Sequence, residues 1–262
     1  MRLDAYLTEK GFFPTKTKAA QAIRRGEVFV DGELRIKPSY NAKEDAEIEI
    51  RAEKTFVSAG GYKLDKAIED FGVEIGGLIF ADVGASTGGF CDALLRRGAK
   101  KVYAIDVGKG LLDKTIGEDS RVVVMDETNA RYLKREDFPE EIDGASVDCS
   151  FISIKLILPA IKSFLKSDGL IIALIKPQFE CGEKNLSKNG MVLGAEKQRA
   201  VVKSVYEYCI ENGFSVENIT SAPLDKKKNI EYLLLLKLSG ESIKLQKLWD
   251  IVDDTVKIWR KL

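Results

Sequence analysis

The chain has 262 residues, which is enough for one large domain with a smaller companion. Lysine plus arginine and aspartate plus glutamate both number 41, so no overall electrostatic field attracts nucleic acid and any basic surface must be local. The sequence has no histidine, which excludes histidine-based triads and histidine metal ligands and leaves proton chemistry to Lys, Asp, Glu, Tyr or Cys.

Residues 1–50 have the pattern of a small separate α+β domain. A short amphipathic helix comes first, and a second helix follows the N-cap Thr15 and ends at Gly26. Apolar segments at 28–30 and 48–50 predict strands, with an Asp-Gly hairpin turn after the first.

Positive charge is concentrated at the start of this domain. Its first 25 residues hold two acids and six basic residues, namely Arg2, Lys10, Lys16, Lys18, Arg24 and Arg25. Such a cluster is often only a solvated face, and charge alone does not choose between that and a binding surface.

Residues 51–58 are predicted to form a charged linker, and residues 59–262 a second domain. Gly60 and Gly61 precede Lys63 near its start. This pair indicates either a backbone that approaches another group closely or a simple boundary turn. A helix is predicted behind it, at 65–71.

The central stretch, residues 78–90, begins as an apolar strand, reaches Asp82 and breaks into a glycine-rich turn before a helix. Its D-x-G-x-x-x-G spacing is typical of proteins that bind S-adenosylmethionine (SAM). An acid at Asp82 suits the ammonium of that ligand and would repel a phosphate. The alternative is an ordinary strand-to-helix turn.

Acids also end the next two predicted strands. The strand at 102–105 ends at Asp106, where a ribose diol could be held, and the strand at 122–125 ends at Asp126 and Glu127, where an adenine could be read. The acid at either strand end could instead be a helix N-cap. The candidate SAM contacts are Asp82, Gly84, Ser86, Thr87, Gly88, Gly89, Phe90, Asp106, Val107, Asp126 and Glu127.

Four further strands are predicted at 145–147, 170–175, 214–219 and 230–236. Helices are predicted at 196–210 and along the C-terminal segment that ends near residue 259, whose apolar stripe should pack on its own domain. Asp148 and Lys176 follow two of the strands, at the edge where Asp82 and Asp106 also lie. The pattern predicts an α/β fold with a Rossmann-like sheet.

The N-terminal segment RLDAYLTEKGFFPTKTKAAQAIRRGEVFVDGELRIKPSY resembles the S-four-type RNA-binding domain. The shared features are the opening R-L-D, the K-A-A-Q-A-I helix, the R-R-G turn and V-x-V-D-G. The resemblance implies that an RNA backbone is approached by Arg2, Lys16, Lys18, Arg24 and Arg25. Contacts of this kind position a protein without reading sequence.

Seven motifs follow one another between Val57 and about Leu238, namely GGYKL, DVGASTGGF, IDVGKGLL, TNARYL, VDCSFISI, IKPQFE and NIEYLLLL. With these motifs in this order, the stretch resembles the TlyA-type, or haemolysin-A-like, members of the FtsJ-like 2′-O-methyltransferases. The resemblance implies SAM-dependent methylation of ribose, on cytidine, in ribosomal RNA or ribosomal subunits. It also implies a catalytic tetrad formed by Lys63, Asp148, Lys176 and Glu231.

The residue types are consistent with that chemistry. A ribose 2′-hydroxyl is a poor nucleophile, and without histidine a lysine must take its proton or stabilise its developing charge. We expect Lys176 to do this, either as a base, which burial or a second cation such as Lys63 would favour, or as a charged stabiliser. Asp148 and Glu231 would orient the lysines and the hydroxyl. The sequence does not choose between the two roles.

Two other function classes stay open, a non-catalytic RNA-binding assembly factor and a membrane-lytic haemolysin. The intact tetrad disfavours the first. Against the second, the sequence has no signal core and no apolar run long enough to cross a membrane. The four cysteines form no C-x-x-C pair, so we expect no metal site and a soluble, cytoplasmic protein.

Overall fold

The computed structural model describes residues 1–24, 27–50 and 56–262. Arg25, the predicted helix end at Gly26 and residues 51–55 of the predicted linker lie outside these ranges. The chain divides into two compact units, Met1–Thr55 and Phe56–Leu262.

The N-terminal unit contains two helices and a small antiparallel sheet. The helices are α1 (Leu3–Glu9) and α2 (Lys16–Arg24), and the strands are β1 (Val28–Val30), β2 (Glu33–Leu34) and β3 (Ile48–Ile50), in the order β2-β1-β3. The predicted cap forms, because the Thr15 hydroxyl oxygen accepts a hydrogen bond from the Lys18 N–H at 3.2 Å. Leu3, Leu7, Ile23 and Val28 are fully buried in a core of their own.

The second unit is built on a seven-stranded sheet. Its elements are α3 (Ala59–Phe71), β4 (Ile79–Val83), α4 (Gly89–Arg96), β5 (Lys101–Ile105), α5 (Lys114–Gly117), β6 (Val122–Met125), β7 (Ile142–Val147), α6 (Leu158–Phe164), β8 (Leu165–Ile175), α7 (Pro177–Glu180), α8 (Ala195–Glu211), β9 (Ser215–Ser221), β10 (Tyr232–Lys237) and α9 (Leu245–Lys261). The strand order is β6-β5-β4-β7-β8-β10-β9. The first five are parallel, and β10 runs antiparallel to both its neighbours.

All seven strands predicted for this unit form, and the Rossmann-like α/β fold is confirmed. The predicted helix at 65–71 starts earlier, at Ala59, so the glycine pair lies in its first turn. A Cβ at Gly61 would lie 2.3 Å from the Phe56 ring, so the glycine is needed for Phe56 to pack against the helix. The close-approach interpretation of the pair is therefore the correct one.

Apolar side chains cover both faces of the sheet. Alternate strand residues point to opposite faces, with Val83 in the core beneath α6, α8 and α9 and Phe80 in the core beneath α3 and α4. As predicted, the C-terminal helix packs on its own domain, through Leu248, Val252 and Val256. Within the described ranges, no helix is both long and apolar enough to span a bilayer.

The strand order reverses at β4. The chain runs outward from β4 to β5 and β6, and then returns to place β7 on the other side of β4. In open α/β sheets, ligands bind in the crevice beyond the carboxyl ends of the strands at such a reversal. The crevice here lies between the loops that follow β4, β5 and β7.

Candidate active site

Two cavities occupy this crevice and share part of their walls. The larger measures about 410 Å³ and extends from Gly84 and Ser86 past Asp106 to the segment 128–131. The smaller measures about 130 Å³ and lies between the glycine-rich loop and the start of α3. Both are lined by Gly84, Ser86, Asp148 and Ser150. A molecule in the larger cavity would thus meet one in the smaller cavity at these four residues.

The glycines of the loop after β4 are required by close packing. Gly84 has a φ of +85°, and a Cβ there would lie 2.8 Å from the carbonyl oxygen of Asp148. Gly89 begins α4 so near to α3 that a Cβ would lie 2.2 Å from Ser58 Oγ. Glycine at these two positions therefore lets the loop pack directly against the Asp148 backbone and Ser58, which holds the walls of both cavities close together.

Asp106 lies at the end of β5 and lines the larger cavity, as predicted for a ribose contact. Its carboxylate accepts hydrogen bonds from the backbone N–H groups of Ser86 and Gly108, both at 2.8 Å. Val107 follows it and also lines the cavity, 71% exposed. Asp106 thus connects the glycine-rich loop to the loop after β5.

Asp126 and Glu127 are not among the residues that line either cavity of the described chain. Asp126 accepts a hydrogen bond from the Gly110 N–H at 2.8 Å, and Glu127 forms an exposed ion pair with Lys109. The cavity wall is formed instead by the residues that follow, Thr128 to Arg131.

Asp82 is placed differently from the expectation that it meets the ligand. It is 0% exposed and lies inside the sheet, where its carboxylate accepts hydrogen bonds from the Ser146 hydroxyl at 2.8 Å and the Cys91 thiol at 3.0 Å. Burial raises the pKa of this carboxyl to about 6. Here Asp82 links β4 to β7 and α4 and does not reach either cavity.

The remaining predicted cofactor residues lie on the loop and at the start of α4. Ser86 and Thr87 are exposed, and both line the smaller cavity together with Gly89 and Phe90. Gly88 has a φ of +89° and packs against Ile116, where a Cβ would lie 3.1 Å away. Gly88 therefore shapes the turn without lining a cavity.

Two ion pairs bring the four predicted catalytic residues together in couples. Lys176 follows β8 and contacts Asp148, which follows the neighbouring strand β7, with 2.6 Å between Nζ and Oδ1. Lys63 on α3 contacts Glu231, which directly precedes β10, with 2.6 Å between Nζ and Oε2. Because Tyr232 pairs with Ile175, Glu231 and Lys176 leave neighbouring strands at the same edge of the sheet.

Lys176 is the most enclosed member of this set. It is only 9% exposed, and its ammonium also donates a hydrogen bond to the Ser150 hydroxyl oxygen at 2.7 Å. Asp148 Oδ1 is buried and, among the described residues, has no hydrogen-bond donor in addition to the lysine ion pair. Lys176 itself lines neither cavity, but its two partners are among the four residues that line both, so the ammonium contacts the wall that the cavities share.

Two residues at this site were not proposed as site residues from the sequence. Ser150 and Phe151 stand in the loop after β7, and Phe151 is 91% exposed with a φ of +62°. Its ring packs on Phe179 with centroids 5.1 Å apart. The sequence indication for Ser150 and Phe151 is that they follow the predicted strand at 145–147 within a few residues.

The cysteine at the cavity wall is not a base. Cys149 lines the larger cavity, and burial raises the pKa of its thiol to about 12, so it stays protonated near neutral pH. All four cysteines are free, and no group of three or more metal-ligating side chains occurs in the part of the chain that the structure describes. Of the described residues, the charged ones that line the two cavities are Asp106, Arg131 and Asp148, and Lys176 contacts Asp148.

A parallel sheet with a final antiparallel strand pair, a glycine-rich loop after β4 and an acid at the end of β5 define an α/β methyltransferase fold. A solved structure of an S-adenosylmethionine-dependent methyltransferase from Listeria monocytogenes shares this fold, with a TM-score of 0.51 at 16% identity over 70% of this chain and 99% of that one.

The particular family follows from the sequence comparisons. Residues 56–238 match the model of the FtsJ-like methyltransferase family, and residues 1–48 match the S4 domain, the S-four-type domain named above. The chain belongs to the FtsJ-like methyltransferase family and carries an S4 domain at its N-terminus. Both resemblances found in the sequence are confirmed.

Close relatives extend over nearly the whole chain. The Mycobacterium tuberculosis protein named 16S/23S rRNA (cytidine-2′-O)-methyltransferase TlyA is 36% identical, covering 90% of this chain and 89% of that protein. Hemolysin A of Brachyspira hyodysenteriae is 39% identical, covering 89% and 98%. A solved structure from Streptococcus thermophilus has a TM-score of 0.76 at 36% identity, covering 100% and 97%.

Proposed function

We propose that this protein transfers a methyl group from SAM to the 2′-oxygen of a cytidine ribose in ribosomal RNA. The name of the Mycobacterium tuberculosis relative supports the reaction and the substrate. The observation that carries the proposal is the enclosed Lys176 ammonium, which contacts Asp148 and Ser150, two of the residues that line both cavities. A cytoplasmic location, where ribosomal RNA is found, is part of the proposal.

The larger cavity fits the nucleoside part of SAM. Its volume of about 410 Å³ suits a ligand of this size, and Asp106 at the end of β5 is placed to accept hydrogen bonds from a ribose diol. Exposed Ser86 and Thr87 line the smaller cavity, which leaves room for the rest of the molecule. When bound, SAM supplies an electrophilic methyl group on a sulfonium.

The other predicted SAM contacts, Asp82, Asp126 and Glu127, are proposed to support the cavity without touching SAM. Asp82 fixes the end of β4 from within the sheet, and Asp126 holds the loop at Gly110. Glu127 lies beside the segment 128–131, which lines the cavity and would meet the adenine.

Lys176 is proposed to act on the hydroxyl and not on the cofactor. As the 2′-oxygen forms its bond to the methyl carbon and the carbon–sulfur bond breaks, the hydroxyl proton passes to solvent. The negative charge that develops on the oxygen as this proton departs must be stabilised. An ammonium fixed by Asp148 and Ser150 can do this without reorganising, which favours the electrostatic role over the base role.

The RNA is proposed to contact both units. In the N-terminal unit Lys16, Lys18 and Arg24 are exposed on α2, and Arg2 is exposed beside Asp4, so phosphates could reach all four. Arg25 belongs to the same proposal from sequence. In the second unit, the exposed Phe151 ring at the cavity rim offers a face on which a base could stack.

The test is transfer of labelled methyl from SAM to isolated ribosomal subunits, followed by mapping of the modified nucleotide. We expect label on a cytidine 2′-oxygen with the wild-type chain and none with Lys176→Ala. Label that appears on a base, or that appears equally with both proteins, would contradict the proposal.

A further inference from the structure

Two segments at the carboxyl edge of the sheet contact each other at both of their ends. The segment 148–154 follows β7, and the segment 176–180 follows β8. At one end, Lys176 contacts Asp148 and Ser150, at 2.6 and 2.7 Å. The other end is held by Glu180, which lies one short helix, α7, beyond Lys176.

Both carboxylate oxygens of Glu180 are used in this second contact. The Ser153 hydroxyl donates a hydrogen bond to Oε2 at 2.6 Å, and the Ile154 backbone N–H donates one to Oε1 at 2.8 Å. Burial raises the pKa of Glu180, as it does for a carboxyl taken out of water. Because Glu180 is largely removed from water and accepts hydrogen bonds from Ser153 and Ile154, its carboxylate fixes the segment to which these two residues belong.

The segment between the two contacts needs such support. Phe151, in its middle, has a left-handed backbone that a residue with a side chain rarely adopts, and it is 91% exposed. Its ring is supported from one side, by Phe179 of the same α7 helix. The geometry of residues 148–151 therefore depends on what anchors residues 153 and 154.

We propose that Glu180 is a positioning residue for methyl transfer. Its carboxylate anchors segment 148–154 so that Asp148 and Ser150, which line both cavities, hold the Lys176 ammonium against their shared wall. The inference rests on the proposed function, because it assigns Glu180 a role only through Lys176. Glu180 itself lines neither of these cavities.

The decisive comparison is between Glu180→Ala and Glu180→Gln. The glutamine amide can accept from the Ile154 N–H through its oxygen and donate to Ser153 Oγ through its nitrogen, so it restores both contacts without the charge. We expect Glu180→Ala to lower kcat at least tenfold per SAM-binding site, with the Kd for SAM changed less than twofold. Glu180→Gln should stay within about threefold of the wild-type kcat.

A purely structural role predicts a different result. It would lower the melting temperature and the folded fraction of Glu180→Ala but leave kcat per SAM-binding site at the wild-type value, and that outcome would overturn the inference. Ser153→Ala removes the hydroxyl that donates to Glu180 and so breaks one of the two hydrogen bonds. It tests the inference if Glu180→Ala does not fold. A severalfold loss of kcat in Ser153→Ala supports the inference, and an unchanged kcat overturns it.

Lys176→Ala, assayed in parallel, separates this inference from the proposed function. If Lys176→Ala is inactive while Glu180→Ala and Ser153→Ala both keep the wild-type kcat, only the positioning role fails. If Lys176→Ala keeps wild-type activity, the proposed function fails and the role of Glu180 fails with it.

Discussion

Lys63 and Glu231 form an ion pair with 2.6 Å between Nζ and Oε2, although 168 positions separate them in the sequence. The lysine side chain is 21% exposed and the glutamate side chain 16%, so water screens the pair only in part. The contact joins α3 to the start of β10. Lys176 follows β8, which lies between β10 and β7 in the sheet. The ion pair therefore links α3, whose Gly60 lines the smaller cavity, to the strand that pairs with β8 just before Lys176.

We expect Lys63→Ala and Glu231→Ala each to reduce methyl transfer strongly, and the double variant to lose little more than either single one. Each single change leaves the other charge without its partner in a partly enclosed site. In a double-mutant cycle on the free energy of unfolding, the coupling should be about 1–2 kcal/mol. The exposed pair Lys203–Glu207 is the matched control, with an expected coupling of about 0.5 kcal/mol or less. Strictly additive losses at Lys63 and Glu231 would show that the two act separately.

Lys176→Ala should abolish methyl transfer and leave the Kd for SAM nearly unchanged, because the ammonium is assigned to the hydroxyl. Calorimetry with SAM and a single-turnover assay measure the two effects on the same preparation. Lys162→Ala is the control, since that lysine contacts Asn212 and Phe214, which line neither cavity, whereas Lys176 contacts two residues that line both. More than a few per cent residual activity in Lys176→Ala would remove the lysine from its central role.

Asp106→Ala should weaken SAM binding roughly ten- to a hundredfold, because hydrogen bonds to a charged group are worth about 1.5–3 kcal/mol. The backbone N–H groups of Ser86 and Gly108 also lose their acceptor, so a melting curve must accompany the calorimetry. Asp126→Ala is the matched control, because Asp126 also accepts a hydrogen bond from a loop N–H but lines neither cavity. We expect it to lose less SAM affinity than Asp106→Ala. Equal affinities in wild type and Asp106→Ala would exclude Asp106 from the site.

The sheet was predictable from sequence because most of its strands contain an apolar run bounded by polar or glycine-rich turns. The exceptions are β7, IDGASV, and β9, SVENITS, in which polar residues interrupt the apolar ones. The start of α3 was not predictable, because two glycines indicate a turn unless the Phe56 ring that packs on them is known. The pairing of Lys63 with Glu231 depends on β10 entering between β8 and β9, and strand order is not encoded in local pattern.

The role of Asp82 could not be predicted for a related reason. An acid at the end of a strand has the same local sequence whether it faces a ligand or the sheet interior. Its two partners, Ser146 and Cys91, come from a different strand and from α4. Only the packed structure shows that both oxygens are already used.

This burial gives Asp82 a measurable pH signature. Its folded-state pKa of about 6 lies above the ordinary value of 3.8, so between about pH 4 and pH 6 the folded state keeps a proton that the unfolded state has lost. Stability from this group is therefore present in full below pH 4 and declines as pH rises towards 6, by up to about 3 kcal/mol. In urea titrations, the stability of Asp82→Asn relative to wild type should rise across this range and level off above about pH 7.

Asp119→Asn is the control for that experiment, because the pKa of Asp119 is shifted in the opposite direction from that of Asp82. A hydrogen bond from Arg121 lowers the pKa of Asp119, so its contribution is present above the ordinary pKa and lost as pH falls below it. The Asp119→Asn profile should differ from wild type in slope only below about pH 4. Parallel profiles for wild type and Asp82→Asn between pH 4 and pH 6 would mean that Asp82 is ionised throughout.

Reversing two exposed charges on α2, with Lys18→Glu and Arg24→Glu together, should cost most of the affinity for ribosomal RNA and leave SAM binding intact. The N-terminal unit and the second unit have separate apolar cores, so the change should not disturb the methyltransferase fold. Each lost phosphate contact should reduce the slope of log affinity against log salt by about 0.9, if duplex RNA behaves like duplex DNA. Lys203→Glu with Lys257→Glu, on helices of the second unit, controls for the change in net charge. Equal RNA affinity and equal salt slope in the α2 variant and this control would indicate that the N-terminal unit stabilises the protein or binds another protein instead.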